Sequence, residues 1–313
     1  MLEIIIAVTS LLSGMFLLIF SSIKVIDHST IIASILRISP LMIGLLIVSL
    51  GTDLPEITNS IISCARGYGD INVGDSLGSI LVQISLILGL YAFFGGEVNV
   101  KRKEIIVMGV CEVLLLAVAL LVVRGGYISR LNAAVLVIGW PVAMLIGHKI
   151  MKKDLASEQY HYTPRRLPYH ALILFLGFIG IAIGSYVVVE SVISLSTIFH
   201  IHQYIISFFV VAIGTSLPEL CVDIAAIRKK QYKIAIGDTI GSCLVDASLS
   251  IGIGPLLFPT AVSAGLAGTT GLYTLFVSIV VLSILALREK IDKKMGTFFI
   301  ILYLFSYAIL FLG

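Results

Sequence analysis

Apolar runs of helix-spanning length, separated by short polar intervals, recur from one end of the chain to the other. A helix that crosses ~30 Å of hydrocarbon needs about 20 mostly apolar residues. The pattern therefore predicts ten spans, over residues 3–25, 40–65, 71–95, 104–123, 131–150, 169–192, 203–228, 233–258, 264–287 and 296–312. The most polar interval, 151–168 (MKKDLASEQYHYTPRRLP), falls between the fifth and sixth spans and predicts a cytoplasmic linker between two halves, 1–150 and 169–313. Each half holds an odd number of spans, so the second must lie in the membrane upside down relative to the first. The expected fold is an all-α membrane protein of two inverted five-helix repeats.

Composition agrees with a lipid solvent: 58% of the 313 residues are hydrophobic and 12% charged, with a mean hydropathy of +1.10, against about 25% charged in soluble domains. The net charge of +3 is uninformative until the basic residues are placed on the topology. With the N-terminus outside, one side collects Lys24, Arg37, Lys101 to Lys103, Lys149, Lys152, Lys153, Arg165, Arg166, Arg228 to Lys230, Lys233, Arg288, Lys290, Lys293 and Lys294. The other side holds only Arg66, Arg124 and Arg130. Cytoplasmic loops retain Lys and Arg, so both termini are expected outside a multi-pass cell-membrane protein. No basic stripe marks a nucleic-acid partner. The four cysteines stand singly without C-x-x-C spacing, which argues against a zinc site or disulfide framework. The first run carries Glu3, has no basic leader and lacks an A-x-A site, so it is expected to be a retained span.

Two polar patterns interrupt these runs, each present twice with a constant offset of 163: Gly51-Thr52-Asp53-Leu54-Pro55-Glu56 with Gly214-Thr215-Ser216-Leu217-Pro218-Glu219, and Gly74-Asp75-Ser76-Leu77-Gly78-Ser79 with Gly237-Asp238-Thr239-Ile240-Gly241-Ser242. Pro55 and Pro218 lack an amide hydrogen and push the preceding residue out of the α region, predicting breaks near Thr52–Leu54 and Thr215–Leu217. Asp53 and Glu56, like Ser216 and Glu219, are three residues apart and share a helix face. Ser79 and Gln83 are one turn apart, as are Ser242 and Asp246. Hard cations such as Ca2+ and Na+ take carboxylate, carbonyl and hydroxyl oxygen. The candidate ligands are thus Thr52, Asp53, Glu56, Ser79, Gln83, Thr215, Ser216, Glu219, Ser242 and Asp246. D-L-P-E and S-L-P-E also match a capping box, but an ionised carboxylate at the bilayer centre costs at least a few kcal/mol, which favours ion binding. Asp75 and Asp238 suit a helix N-cap at interruptions of the third and eighth spans, or a direct role in ion handling. Asn59 and Asp223, one turn beyond the glutamates, could extend a polar path. Glu112 and Glu190 have no repeated partner, and His148, His161, His170, His200 and His202 read as solvated.

The repeated pair G-T-[SD]-L-P-E … G-x-x-x-G-S-x-x-x-[QD] resembles the two α-repeats of the sodium/calcium exchanger family, here residues 44–89 and 207–252. The resemblance covers the full chain and is to the prokaryotic form, which has no large cytoplasmic domain between halves. It implies Glu56 and Glu219 as central Ca2+ ligands, Thr52 and Thr215 contributing backbone oxygen, and Ser79, Ser216, Ser242 and Asp246 completing Na+ sites. It also implies exchange of several Na+ for one Ca2+ by alternating access, with spans one and six sliding against the remaining bundle. Four positions depart from the family pattern: Asp53 where Ser is usual, Gln83 for Asn or Asp, and Asp75 and Asp238 for Asn.

Those departures bear on selectivity. Ionised together, Asp53, Glu56, Glu219 and Asp246 carry twice the charge that one Ca2+ cancels, so H+ is expected to compete with or couple to cation binding. A proton-coupled Ca2+ antiporter is the nearest alternative. A channel fits less well, because broken inverted repeats suit an occluding site. An intramembrane aspartyl protease lacks its G-x-G-D sequence at both aspartates. No cofactor and no obligate protein partner are expected beyond the transported ions and the bilayer.

Overall fold

The computed structural model describes residues 2–36, 38–151, 167–198 and 212–312, almost all of them helical. The chain opens with α1 (Leu2–Leu36). After it come α2 (Pro40–Thr52) and α3 (Leu54–Ala65), bent by 45° at their junction. They are followed by α4 (Gly69–Gly95), α5 (Arg102–Val123), α6 (Arg130–Met151) and α7 (Leu167–Ile198). A short α8 (Ala212–Thr215) then leads into α9 (Leu217–Arg228). The chain continues through α10 (Tyr232–Leu257), α11 (Ala264–Arg288) and α12 (Lys293–Leu312).

Among the described residues, seven helices are long and apolar enough to cross a membrane, and the bent α2 and α3 pair makes an eighth. The two other expected spans fall outside that count. Residues 203–211 of the seventh lie outside the described residues, leaving α8 and α9 as its described part, and the tenth corresponds to α12. The linker's residues 152–166, with Lys152, Lys153, Arg165, Arg166 and His161, also lie outside them, as do Arg37, His200 and His202.

Two layers surround the site. The inner layer is α2, α3, α4, α9 and α10, which pack on one another and carry most of the buried polar residues. Ser39 starts α2 as its N-cap, its hydroxyl accepting from the Met42 amide at 3.2 Å, with Pro40 in the first turn. Helices α2 and α10 approach so closely that a Cβ on Gly237 would strike the Leu41 carbonyl, and one on Gly44 would lie 2.8 Å from the Asp238 nitrogen. The outer layer includes α1 and α7, 35 and 32 residues long. At about 1.5 Å per residue both exceed the ~30 Å hydrocarbon thickness. They lie along each other, with Gly180 against Ser21 and Gly184 against Leu18.

Two small antiparallel strand pairs tie loops at opposite ends of the bundle. β1 (Val98–Asn99) follows α4, β2 (Tyr127–Ile128) and β3 (Thr260–Ala261) follow α5 and α10, and β4 (Lys290–Ile291) follows α11. β1 pairs with β4 and β2 with β3. The start of α4 meets β3 at Gly69, while its far end meets the start of α10 through the Tyr232 hydroxyl and Gly95 carbonyl, 3.4 Å apart. Ion pairs Lys290–Glu97 and Lys101–Glu104 lie at the β1/β4 end. Arg130 is at the other, where its guanidinium reaches the Leu257 carbonyl.

The glycine contact between α2 and α10 has a simple test. Gly237→Val should force the helices apart and destabilise the protein by about 1–3 kcal/mol, read as a lower unfolding temperature in detergent. Gly265→Ala, where an added Cβ meets nothing within 4 Å, should leave it unchanged.

Candidate functional site

The breaks fall where proline predicts them. α2 ends at Asp53 (φ −80°, ψ 5°) and α3 restarts with Pro55 in its first turn. The second motif repeats the geometry at Ser216 (φ −86°, ψ 7°), with Pro218 opening α9. Neither Asp53 nor Ser216 uses its side chain as a cap. All carboxylate oxygens of Asp53, Glu56 and Glu219, and the Ser216 hydroxyl, are buried without a hydrogen-bond partner among the described residues. The capping-box alternative therefore does not describe these side chains.

Asp53, Glu56 and Glu219 converge, each offering an oxygen within 4.8 Å of the others. Asp246 is near enough to interact electrostatically with all three. Its Oδ2 accepts from Gln83 Nε2 at 3.1 Å, joining two residues at equivalent positions of the two halves. This leaves Asp246 Oδ1 and Gln83 Oε1 unpartnered. Both residues lie in π-helical stretches, Val82–Ile87 and Asp246–Ser250, single-turn departures that often accompany functional sites. The Ser242 hydroxyl is buried and unpartnered, while Ser79 Oγ lies 3.4 Å from Thr215 Oγ1. The sequence-derived set thus brings three carboxylates and a fourth nearby into one buried region, with orphaned acceptors and hydroxyls around them.

Asp75 and Asp238 correct one expectation. The helices start well before them, at Gly69 and Tyr232, and run through without interruption. No proline precedes either aspartate in its helix, and the carboxylates find donors in the opposite half instead of in their own backbone. Thr215 Oγ1 donates to Asp75 Oδ1 at 3.2 Å, and Thr52 Oγ1 lies 3.4 Å from Asp238 Oδ1. The two contacts are reciprocal, each linking a break to the other half's straight helix. Asn59 turns out to serve Asp75, donating from Nδ2 to Oδ2 at 2.6 Å.

Other polar residues lie outside this region. Glu112 is buried and accepts from Ser278 at 2.9 Å, Glu190 is exposed, and His170 is not simply solvated, because its Nδ1 lies 2.9 Å from that of His28. Sequence reasoning missed Tyr91, whose hydroxyl is 2.5 Å from Thr239 Oγ1. It sits in an apolar run with no flanking signal, although Thr239 itself was visible inside the second motif.

A lipid-spanning helical bundle with a buried, oxygen-only acidic cage defines a membrane carrier for hard cations. The family model described as sodium/calcium exchanger protein matches residues 6–147 and 169–312, and the chain belongs to that family. The inner membrane protein YrbG of Escherichia coli is 31% identical over 265 residues, covering 81% of this chain and 80% of the relative. The sodium/calcium exchanger MaX1 of Methanosarcina acetivorans is 24% identical, covering 96% of this chain and 97% of the relative. The solved structure of the sodium-calcium exchanger NCX_Mj soaked with 2.5 mM Na+ and 10 mM Sr2+ superposes with a TM-score of 0.82 at 26% identity, over 97% of this chain and 99% of that one.

The donor to Asp75 is open to test. Asn59→Leu should cost about 1–3 kcal/mol by stripping a buried carboxylate of one donor, seen as a lower unfolding temperature in detergent.

Proposed function

We propose that this chain exchanges Na+ for Ca2+ across the cell membrane by alternating access. Glu56 and Glu219 hold Ca2+ from opposite sides, and Asp53 adds a third carboxylate. Thr52 and Thr215 contribute backbone oxygen. Ser79, Gln83, Ser216, Ser242 and Asp246 supply the remaining oxygens for Na+. The ions are cargo; no cofactor and no catalytic residue are invoked. The observation that carries the reading is the convergence of Asp53, Glu56 and Glu219 within 4.8 Å with, among the described residues, no hydrogen-bond donor on any of their oxygens. Three buried carboxylates so placed require positive charge from outside the protein.

In this reading ten helices form two inverted five-helix repeats, 1–150 and 169–313, joined by the cytoplasmic linker 151–168, with both termini outside. The strand pairs support it: β1 and β3 occupy equivalent places in the two halves yet lie at opposite ends of the bundle, as do β2 and β4. The crossed threonine–aspartate contacts support it too. The long pair α1 and α7 supplies the moving part. It reaches the inner layer where Phe178 covers Gly51 and where Lys229 pairs with Asp27.

The deciding experiment is ⁴⁵Ca2+ flux in proteoliposomes. A Na+ gradient should drive Ca2+ accumulation, a pH gradient alone should not, and Glu56→Gln or Glu219→Gln should each weaken Ca2+ binding by at least about tenfold through loss of a charged ligand. Because H+ competes for the same carboxylates, uptake should be slower at pH 6 than at pH 8. Accumulation driven by pH alone would identify the proton-coupled alternative, and activity persisting in both variants would reject the site.

A further inference from the structure

The two halves treat their straight-helix aspartates differently. In the first, Asp75 is satisfied on both oxygens, by Asn59 and by Thr215. In the second, Asp238 faces another acid. Asp223 is hydrogen-bonded by Thr239, the residue that follows Asp238, so the two carboxyls are neighbours; both residues are fully buried, and Asp223 Oδ1 and Asp238 Oδ2 have no partner among the described residues. The position equivalent to Asp223 in the first half is Ser60, whose hydroxyl is engaged by the Gly254 amide at 3.0 Å.

The remaining oxygens around the pair are already oriented. Thr239 Oγ1 donates to Asp223 Oδ2 at 2.8 Å, and the Tyr91 hydroxyl lies 2.5 Å from Thr239 Oγ1 and 2.9 Å from the Ala235 carbonyl. Thr52 attends Asp238 Oδ1. Among the described residues no lysine, arginine or histidine forms an ion pair with either aspartate. Two neighbouring carboxylates away from water are unfavourable unless a positive charge joins them.

From this we infer a second cation site, between Asp223 and Asp238, that takes one Na+-sized monovalent ion. Oxygen-only ligands select a hard cation. The set is short of the six to eight oxygens that Ca2+ takes, and one positive charge brings the pair to the net charge that Asp75 carries alone against the Asn59 amide. The site lies one helical turn from Glu219 along α9 and one turn before Ser242 along α10, so it adjoins the central cage without sharing its three converging carboxylates. The inference rests on the reading that the chain moves Na+.

Equilibrium ²²Na+ binding to purified protein without Ca2+ tests it. Asp223→Asn should bind one Na+ fewer per chain than the wild type, because the new amide can serve Asp238 as Asn59 serves Asp75. Its ⁴⁵Ca2+ affinity measured without Na+ should stay within about threefold, since the central ligands are untouched. An unchanged Na+ count in a variant that still binds Ca2+ overturns the site. Wild-type crystals soaked in Tl+ give a reading independent of any variant: an anomalous peak between Asp223 and Asp238 is expected, and Tl+ peaks confined to the Glu56 and Glu219 region overturn it. A wild type that shows no Na+-driven Ca2+ flux would instead sink the exchange reading, whereas intact flux with an unchanged Na+ count sinks only this site.

Discussion

Buried negative charge without an internal counterion is the constraint on which the rest of the molecule turns. An ionised carboxylate in a low-dielectric interior must be paired or neutralised, and among the described residues the three at the centre are neither hydrogen-bonded nor paired with a basic side chain. The described ion pairs are all elsewhere, at loop ends: Lys229 with Asp27, Lys290 with Glu97, Lys101 with Glu104. In the proposed exchange, the positive charge that completes the core arrives from solution and leaves again. That separates a carrier site from a structural salt bridge.

The backbone is shaped to the same end. Pro55 and Pro218 each stop one helix and start another, which places Asp53 and Glu56, or Ser216 and Glu219, on the first turn of a new helix whose N-terminus points partial positive charge at them. The straight helices α4 and α10 supply the opposing wall, and their π-helical turns bring Gln83 and Asp246 together. Contacts between the halves at Thr52–Asp238 and Thr215–Asp75 then fix each break against the other half's unbroken helix. Outside this frame, small residues let α1 and α7 lie close along one another, and the His28–His170 contact joins the two helices into one unit.

Much of this was legible in the chain. Proline within an apolar run announces a helix break for reasons of covalent geometry alone, and both breaks sit within a residue of where that rule puts them. Glu56 and Glu219 stood out because lipid makes a stray carboxylate costly. What the sequence hid depended on contacts across the fold. Asp75 and Asp238 look like caps because Gly precedes and Ser or Thr follows, but only the packed structure reveals that a threonine 140 or 186 residues away supplies the hydrogen bond. The pairing of Asp223 with Asp238 was equally hidden: Asp223 stood out as a polar residue one turn beyond Glu219, but nothing in the chain says which residue it meets. Tyr91 reads as one more apolar residue until Thr239 lies beside its hydroxyl.

The most direct test of the central claim is to locate the ion. Crystals grown in Ca2+ and low Na+ should show one anomalous peak bound by carboxylate oxygens of both Glu56 and Glu219 at about 2.3–2.6 Å, weakened as Na+ rises. Calcium bound elsewhere, or to the acids of one half only, would contradict the account.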